Sequence, residues 1–331
     1  MRDQFGRTIE YMRVSVTDRC NLRCVYCMPP EGVPCLSHGD ILTYDEITRI
    51  CRAGTELGIS RIKLTGGEPL VRRGLPDLVG MLREIPGIEQ ITLTTNGILL
   101  KEKINELVSN GINSINISMD SLNAERYEKI TRGGCLRQAF EGLEAALTIP
   151  ELQVRINCVC LSDTQPEDII RLALLADKQE LDVRFIEMMP IGLGKKYRPV
   201  KGAEIRKLLE DRFGTASVCQ GQYGNGPAVY VRFPGFKGKI GFIDAVSHQF
   251  CSTCNRVRLT SEGCLKSCLQ YETGADLRTL LRSGAADEKL KGVMRGIIYE
   301  KPACHQFAEG TKESGTESRK LETRDMSQIG G

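Results

Sequence analysis

A chain of 331 residues with a net charge of +3 and 26% charged residues is long enough for a sizeable core and falls in the range of single α/β barrels. It carries no global basic field that would argue for nucleic acid or a membrane surface as partner. Met1-Arg2-Asp3-Gln4-Phe5-Gly6 lacks the apolar segment of a secretory signal and no run approaches the length of a membrane span, so the 14 cysteines point to metal or redox work in a reducing, cytoplasmic setting rather than to disulfides.

In chain order, Ile9 to Thr17 alternates side-chain type, with Met12, Val14 and Val16 on one parity and Arg13, Ser15 and Thr17 on the other. It reads as a strand. The strand runs into Cys20-Asn21-Leu22-Arg23-Cys24-Val25-Tyr26-Cys27. Three cysteines at this spacing can wrap their sulfurs around one metal centre, and thiolates are the usual ligands of iron–sulfur clusters. A cube of four irons wants four ligands, so three leave one iron open to something that is not protein. A closed zinc site of three cysteines and His38 is the competing reading. Against it, no second tight Cys or His pair lies nearby, and the triplet follows directly on a strand, where active-site loops begin. The spacing, with an aromatic just before the last cysteine, resembles the radical S-adenosylmethionine enzymes. Their open iron chelates the amino and carboxylate groups of S-adenosylmethionine.

After a Pro/Gly-rich stretch, Thr43 with Glu46 three residues on has capping-box spacing and predicts a helix to about Leu57. Arg61 to Thr65 is a strand, followed by Gly66-Gly67-Glu68-Pro69 and a helix to about Glu84. Gln90 to Thr95 is a strand with an Asn96-Gly97 turn, and a helix spans about Leu99 to Ser109. Ser114 to Met119 is the next strand, helical patterns fill Asn123 to Leu147, and Gln153 to Val159 follows. Pro166 opens a helix to about Lys178, and Asp182 to Glu187 is the sixth strand. Strict alternation of strand and helix is the signature of parallel βα units, hence an α/β fold.

One parity of these strands is polar: Arg13, Ser15 and Thr17; Lys63 and Thr65; Thr92, Thr94 and Asn96; Asn116, Ser118 and Asp120; Gln153, Arg155 and Asn157. The other is mostly Ile, Val, Leu and Met. A closed barrel fills its interior with branched apolar residues, and burying this many polar groups without partners is prohibitive. The apolar parity therefore packs under the helices, and the interior is expected to hold a large polar ligand.

Beyond Pro190 the pattern changes. Ile191 to Lys196 is a loop, Lys201 to Phe213 a helix, and Ala228 to Phe233 and Lys239 to Asp244 short strands. Phe250-Cys251-Ser252-Thr253-Cys254-Asn255-Arg256-Val257-Arg258 and Cys268 repeat the three-cysteine arithmetic. Asp276 to Ser283 and Ala286 to Tyr299 read as helices. Residues 309–331 are polar and unperiodic, by composition a disordered terminus.

The second triplet, with Asn255-Arg256-Val257-Arg258 beside it and a Gly330-Gly331 end, resembles the GTP 3′,8-cyclases of molybdenum cofactor biosynthesis from about Met12 to Gly331. That resemblance implies an incomplete (β/α)6, TIM-like barrel whose open side is closed by a smaller C-terminal α+β unit. It divides the chain into a barrel over 1–200, a cluster-binding unit over 201–308 and a tail over 309–331. It implies two [4Fe-4S] clusters, one on Cys20, Cys24 and Cys27 and one on Cys251, Cys254 and Cys268, the open iron of the second facing the purine. Tyr26, Gly66, Gly67, Glu68, Ser118 and Met189 would contact S-adenosylmethionine. Arg13, Lys63, Thr94, Arg155, Arg256 and Arg258 would surround GTP, with Arg256, Arg258, Gly330 and Gly331 in catalytic roles and the tail entering the cavity.

The implied reaction cleaves S-adenosylmethionine to methionine and a 5′-deoxyadenosyl radical, which takes the C3′ hydrogen of GTP. The C3′ radical adds to C8, and one-electron reduction gives (8S)-3′,8-cyclo-7,8-dihydroguanosine 5′-triphosphate. The family further implies a homodimer, an electron donor that the sequence does not identify, and cyclic pyranopterin monophosphate synthase as the next enzyme. Two positions depart from the family pattern: Lys63 stands where it has Arg, and Arg155 where it has Lys. Charge survives both changes, but a planar fork and a compact ammonium differ in geometry. Cys264 competes with Cys268 as third ligand, and the family spacing favours Cys268.

Overall fold

The computed structural model describes residues 1–34, 36–221, 223–307 and 320–330. Six parallel strands follow one another in the sheet: β1 (Tyr11–Ser15), β2 (Arg61–Thr65), β3 (Gln90–Thr95), β4 (Ser114–Ser118), β5 (Gln153–Cys160) and β6 (Asp182–Glu187). The crossovers are α1 (Tyr44–Glu56), α2 (Leu75–Arg83), α3 (Leu100–Ser109), α4 (Ala124–Thr131), α5 (Leu136–Leu147) and α6 (Pro166–Lys178). The predicted capping box at Thr43 and Glu46 is present in full. The predicted helical stretch 123–147 is two helices, because Arg132 turns left-handed (φ 54°) and Gly133 follows at φ 108°. No helix among the described residues is long and apolar enough to cross a membrane.

Register aligns the two parities across strands. Met12 pairs with Ile62 and Ile62 with Ile91, while Ile117 pairs with Ile156 and Ile156 with Val183; all are buried beneath the helices. The polar parity forms its own rows, Arg258–Arg13–Lys63–Thr92 and Thr94–Asn116–Arg155–Asp182. This is an α/β fold, an incomplete (β/α)6 barrel.

The C-terminal half adds α7 (Gly202–Phe213), β7 (Ser217–Val218), β8 (Val229–Arg232), β9 (Ile240–Ile243), β10 (Arg256–Leu259), β11 (Cys264–Lys266), β12 (Gly274–Asp276), α8 (Leu277–Arg282) and α9 (Asp287–Tyr299). Its strands extend both edges of the same sheet. β9 lies parallel to β6, and β10 lies parallel to β1. The run Arg256 to Leu259, read from sequence only as the flank of a cysteine pair, is thus the strand that carries Arg258 to the side of Arg13. The C-terminal helix also covers the first one, through Lys291 to Glu56 at 2.5 Å and Arg49 to Asp287 at 2.8 Å.

Composition alone misreads the end of the chain. Residues 320–330 are docked: Glu322 N–H donates to Gln270 O at 2.7 Å, and the Glu322 carboxylate is buried against Lys266. Ile329 is fully buried with Ile191 and Leu269. A polar segment packs here because its charges meet partners more than 50 residues away, which no local window can register. Gly331 lies outside the described residues.

Candidate active site

One cavity of about 340 Å³ runs along the inside of the barrel strands, lined from Tyr11 and Gln90 at their starts to Ser118 and Glu187 at their ends, a size suited to small ligands. Cys20, Cys24 and Cys27 line one part of it and Cys251, Cys254 and Cys268 another. Between them the wall carries Arg13, Lys63, Thr94, Arg155, Arg256 and Arg258. Tyr26, Gly66, Gly67, Glu68, Ser118 and Met189 are on the wall as well. Gly330 stands just behind it: its carbonyl accepts from Arg258 Nη1 at 2.9 Å, and a Cβ there would lie 2.8 Å from Ser15 Cβ.

The first cysteine loop is fixed mainly by its own turns and by its neighbour α4. Cys27 N–H donates to Cys24 O at 2.9 Å, Val25 N–H to Ile130 O at 2.9 Å, and Arg132 Nη1 to Met28 O at 2.7 Å. Tyr26 Oη donates to Asp120 at 2.7 Å, tying the loop to the end of β4. Gly66 and Gly67 are required by close backbone approach, since a Cβ would come within 2.6 Å of Thr17 O and 2.4 Å of Arg19 O. Glu68 then reaches back to accept from Leu70 N–H, Thr95 Oγ1 and Asn96 N–H at 2.7–2.9 Å. Burial pushes its carboxyl up to about 7 against those three bonds.

Burial also raises the thiols of the first set, Cys20 to about 11 and Cys27 to about 12. Three unbridged, half-buried thiols on one loop that line one cavity are a donor set that a soft metal centre would ionise. Among the described residues no three His, Cys, Asp or Glu side chains converge as one small ion requires. A closed zinc site with His38 therefore has no geometry here, whereas a four-iron cube needs its thiolates spread around it. In the second set burial works to raise Cys254, but the charges of Lys301 and Arg256 outweigh it and bring the thiol down to about 6. Cys251 has Cys268, Cys254 and Cys304 as electrostatic neighbours, whereas Cys264 has Arg324, Lys266, Glu262 and Asp276 and is not on the wall. The structure thus places Cys268, not Cys264, with the second set.

Seven cations face the cavity against three carboxylates. Arg13 pairs in register with Arg258 on one side and Lys63 on the other, although like charges directly opposite destabilise a sheet. Burial and then Arg13, Arg184, Arg155 and Arg256 push the Lys63 ammonium well below its ordinary value. Burial, Arg13 and Arg256 do the same to Arg258. Arg155 donates to Ser114 Oγ at 2.9 Å and stands 3.5 Å from Asp182. Its Nη2 and the Nε of Arg184, both buried, have no hydrogen-bond partner among the described residues. Such an array has the charge to meet an anion with several charges.

Two of the cations on the wall escaped the sequence reading. Arg184, whose Nη2 donates to Asn116 Oδ1, shares the polar parity; the alternation Asp182-Val183-Arg184-Phe185 was the available signal. Lys301 gave none, because it lies just past a helix and reaches the cavity only through tertiary packing.

The radical SAM superfamily model matches residues 14–176 and the Molybdenum Cofactor Synthesis C model residues 181–307. A GTP 3′,8-cyclase of Clostridium perfringens (strain SM101 / Type A) is 44% identical over 331 residues, and one of Pelotomaculum thermopropionicum is 42% identical over 334, each covering 100% of both chains. Among solved structures, Streptococcus suis SuiB bound to S-adenosylmethionine superposes with a TM-score of 0.61 at 16% identity, covering 87% of this chain and 68% of that one. That likeness concerns the fold alone.

Proposed function

From the premise that this chain belongs to the GTP 3′,8-cyclase family of radical SAM enzymes, we propose that it cyclises GTP to (8S)-3′,8-cyclo-7,8-dihydroguanosine 5′-triphosphate, the first step of molybdenum cofactor biosynthesis. The observation that carries this reading is the array of buried cations between two cysteine triplets in a single cavity. A triphosphate brings negative charge to the cations that line this cavity, Arg13, Lys63, Arg155, Arg184 and Arg258 among them.

Cys20, Cys24 and Cys27 would hold a [4Fe-4S] cluster, whose open iron, with S-adenosylmethionine bound, supplies one electron and from it an organic radical able to take hydrogen from carbon. The chain's own residues do the rest. Gly66 and Gly67 let this loop pack on the Thr17 and Arg19 backbone beside the cosubstrate, while Glu68 holds it against β3. Ser118 and Met189 shape the wall beside it. We assign Cys251, Cys254 and Cys268 to a second [4Fe-4S] cluster at the purine end, and Thr94, Arg256 and Arg258 to the nucleotide. Holding GTP at both ends fixes the ribose between the two cysteine sets, which suits hydrogen-atom transfer at near-attack distance and keeps water away from the radical. Gly330, whose carbonyl fixes the Arg258 guanidinium, would steady this arrangement. Residues 1–200 would then supply the first cysteine set and most of the nucleotide's cations, 201–308 the second cysteine set with Arg256 and Arg258, and 309–331 the tail, although one sheet joins the first two.

The test is an anaerobic reaction of cluster-reconstituted protein with dithionite, S-adenosylmethionine and GTP, read by mass spectrometry. The cyclised nucleotide and 5′-deoxyadenosine are expected together, and only with GTP present. 5′-Deoxyadenosine with GTP untouched overturns the substrate; neither product overturns the reaction.

A further inference from the structure

Two buried cations are not among those assigned to the nucleotide: Arg7 near the N-terminus, and Lys301, two residues beyond α9, which reaches the cavity wall. The Arg7 guanidinium is saturated. Nε donates to Asp3 Oδ2 at 2.6 Å, Nη1 to Cys251 O at 2.8 Å and Ala303 O at 2.9 Å, and Nη2 to Pro302 O at 2.6 Å and Lys301 O at 3.4 Å. One planar fork thus grips the carbonyl of a cysteine and the three residues that present Lys301. Lys301 in turn donates from Nζ to Arg256 O at 2.9 Å and to Ser267 O. These carbonyls sit two residues after Cys254 and one before Cys268. His305 N–H completes the arrangement by donating to Cys251 Sγ at 3.4 Å.

The three cysteine segments of the second set are therefore tied to one hub built from opposite ends of the chain. The hub's charges are unequal. Asp3 pairs with Arg7, but among the described residues no carboxylate forms an ion pair with Lys301, which is 3% exposed. It lines the cavity with Cys254 and bonds the backbone two residues beyond that cysteine. A buried ammonium without a carboxylate is costly unless an anion at the site offsets it, and cluster thiolates are such an anion.

We propose that Lys301, anchored by Arg7, is the positioning and countercharge residue of the second cysteine set. It holds the Cys254 and Cys268 segments at the spacing a cluster needs and offsets the negative charge of its thiolates. This rests on the reading of that set as a cluster site. Charge and hydrogen bonding around ligand sulfurs set cluster potentials and affinity, so the residue has readouts that a mere structural tie lacks.

The experiment uses the full chain, reconstituted anaerobically, as wild type, K301M, K301R and R7K. Iron content, thermal unfolding and the reduction potential of each cluster by spectroscopically monitored redox titration are measured. Wild type is expected to hold about eight irons per chain, in two clusters of four. K301M is expected to fall toward about four irons, with the S-adenosylmethionine-dependent spectrum of the first cluster unchanged. Any remaining second cluster should reduce at a more negative potential. K301R keeps the charge and should restore the potential. R7K cannot serve all five acceptors and should lose iron from the second cluster alone, which decides the matter if K301M does not fold. Full iron with an unchanged potential in K301M, or full iron in R7K, overturns the proposal. Only about four irons in wild type overturns the second cluster itself, and with it the role of Lys301.

Discussion

The two cysteine sets face one cavity but are assembled in opposite ways. The first lies within eight residues, and the bonds that shape it run largely to its own turns and to the end of α4. The second spans 18 residues, from 251 to 268, and its segments are held by Arg7 and Lys301, the former 244 positions from the cysteine carbonyl it binds. A site specified by local spacing tolerates remote change, whereas a site gathered by distant cations depends on the whole fold.

The largest effects should separate these two ends. C24S is expected to remove the first cluster, ending both 5′-deoxyadenosine and nucleotide product. C254S is expected to remove only the second, so that S-adenosylmethionine is still cleaved while the cyclised nucleotide falls to background. Product analysis of both variants by mass spectrometry, beside their iron contents, makes the check. Equal loss of 5′-deoxyadenosine in the two would erase the division of labour.

Next in size is G330A. Its Cβ would meet Ser15 Cβ at 2.8 Å, and φ at this position is +75°, so the carbonyl that holds Arg258 must shift. A misplacement of about 1 Å near a reacting centre costs about 100-fold in rate, and a loss of about 10- to 100-fold in cyclisation with both clusters intact is expected. Single-turnover rates and iron content measured together test this; unchanged rates remove the tail from the catalytic arrangement.

The same contrast explains what could be read from sequence. The first cysteine loop, the six βα strands and the polar parity were all legible, because each is a short-range period or spacing. Arg13, Lys63, Thr94 and Arg155, which the resemblance singles out, all fall on the polar parity that alternation reveals, and the structure places all four on the cavity wall. The strand Arg256–Leu259 was not legible, since four residues between a cysteine pair and a turn carry too little period. Nor was the docking of residues 320–330, whose buried Glu322 finds Lys266 56 positions away. Lys301 was invisible for the same reason. Short-range pattern reveals which face is polar, but not which distant charge will hold it.

A smaller effect is expected where the nucleotide array departs from the family pattern. Lys63 feels Arg155 electrostatically, and only Arg155 has a side-chain partner on β4, Ser114. R155K should therefore weaken GTP binding more than K63R. The double exchange should recover part of the loss, by about 0.5 kcal/mol or more. Calorimetry of GTP binding to the four proteins closes the cycle, and strictly additive losses would mean that the two positions act independently.

The smallest effect concerns Asp120, whose carboxylate ties the first cysteine loop to the end of β4. Asp120 accepts from Tyr26 Oη at 2.7 Å and from Val159 N–H at 2.8 Å, yet burial outweighs both bonds and raises its carboxyl from 3.8 to about 6. A carboxyl with a raised value stabilises the fold fully below its unfolded value, and that stabilisation is lost as pH rises through about 6. The D120N side chain cannot ionise but can keep both contacts, its carbonyl accepting from Val159 and its amide meeting Tyr26. Between pH 5.5 and 7.5 the wild type should therefore lose melting temperature relative to D120N, by no more than about 5 °C. Scanning calorimetry of the holoprotein tests the sign, and a wild type that gains on the variant as pH rises would contradict it. Iron content sharpens the contrast further: because the first loop is shaped mainly by its own turns, D120N should keep its iron where K301M loses about half.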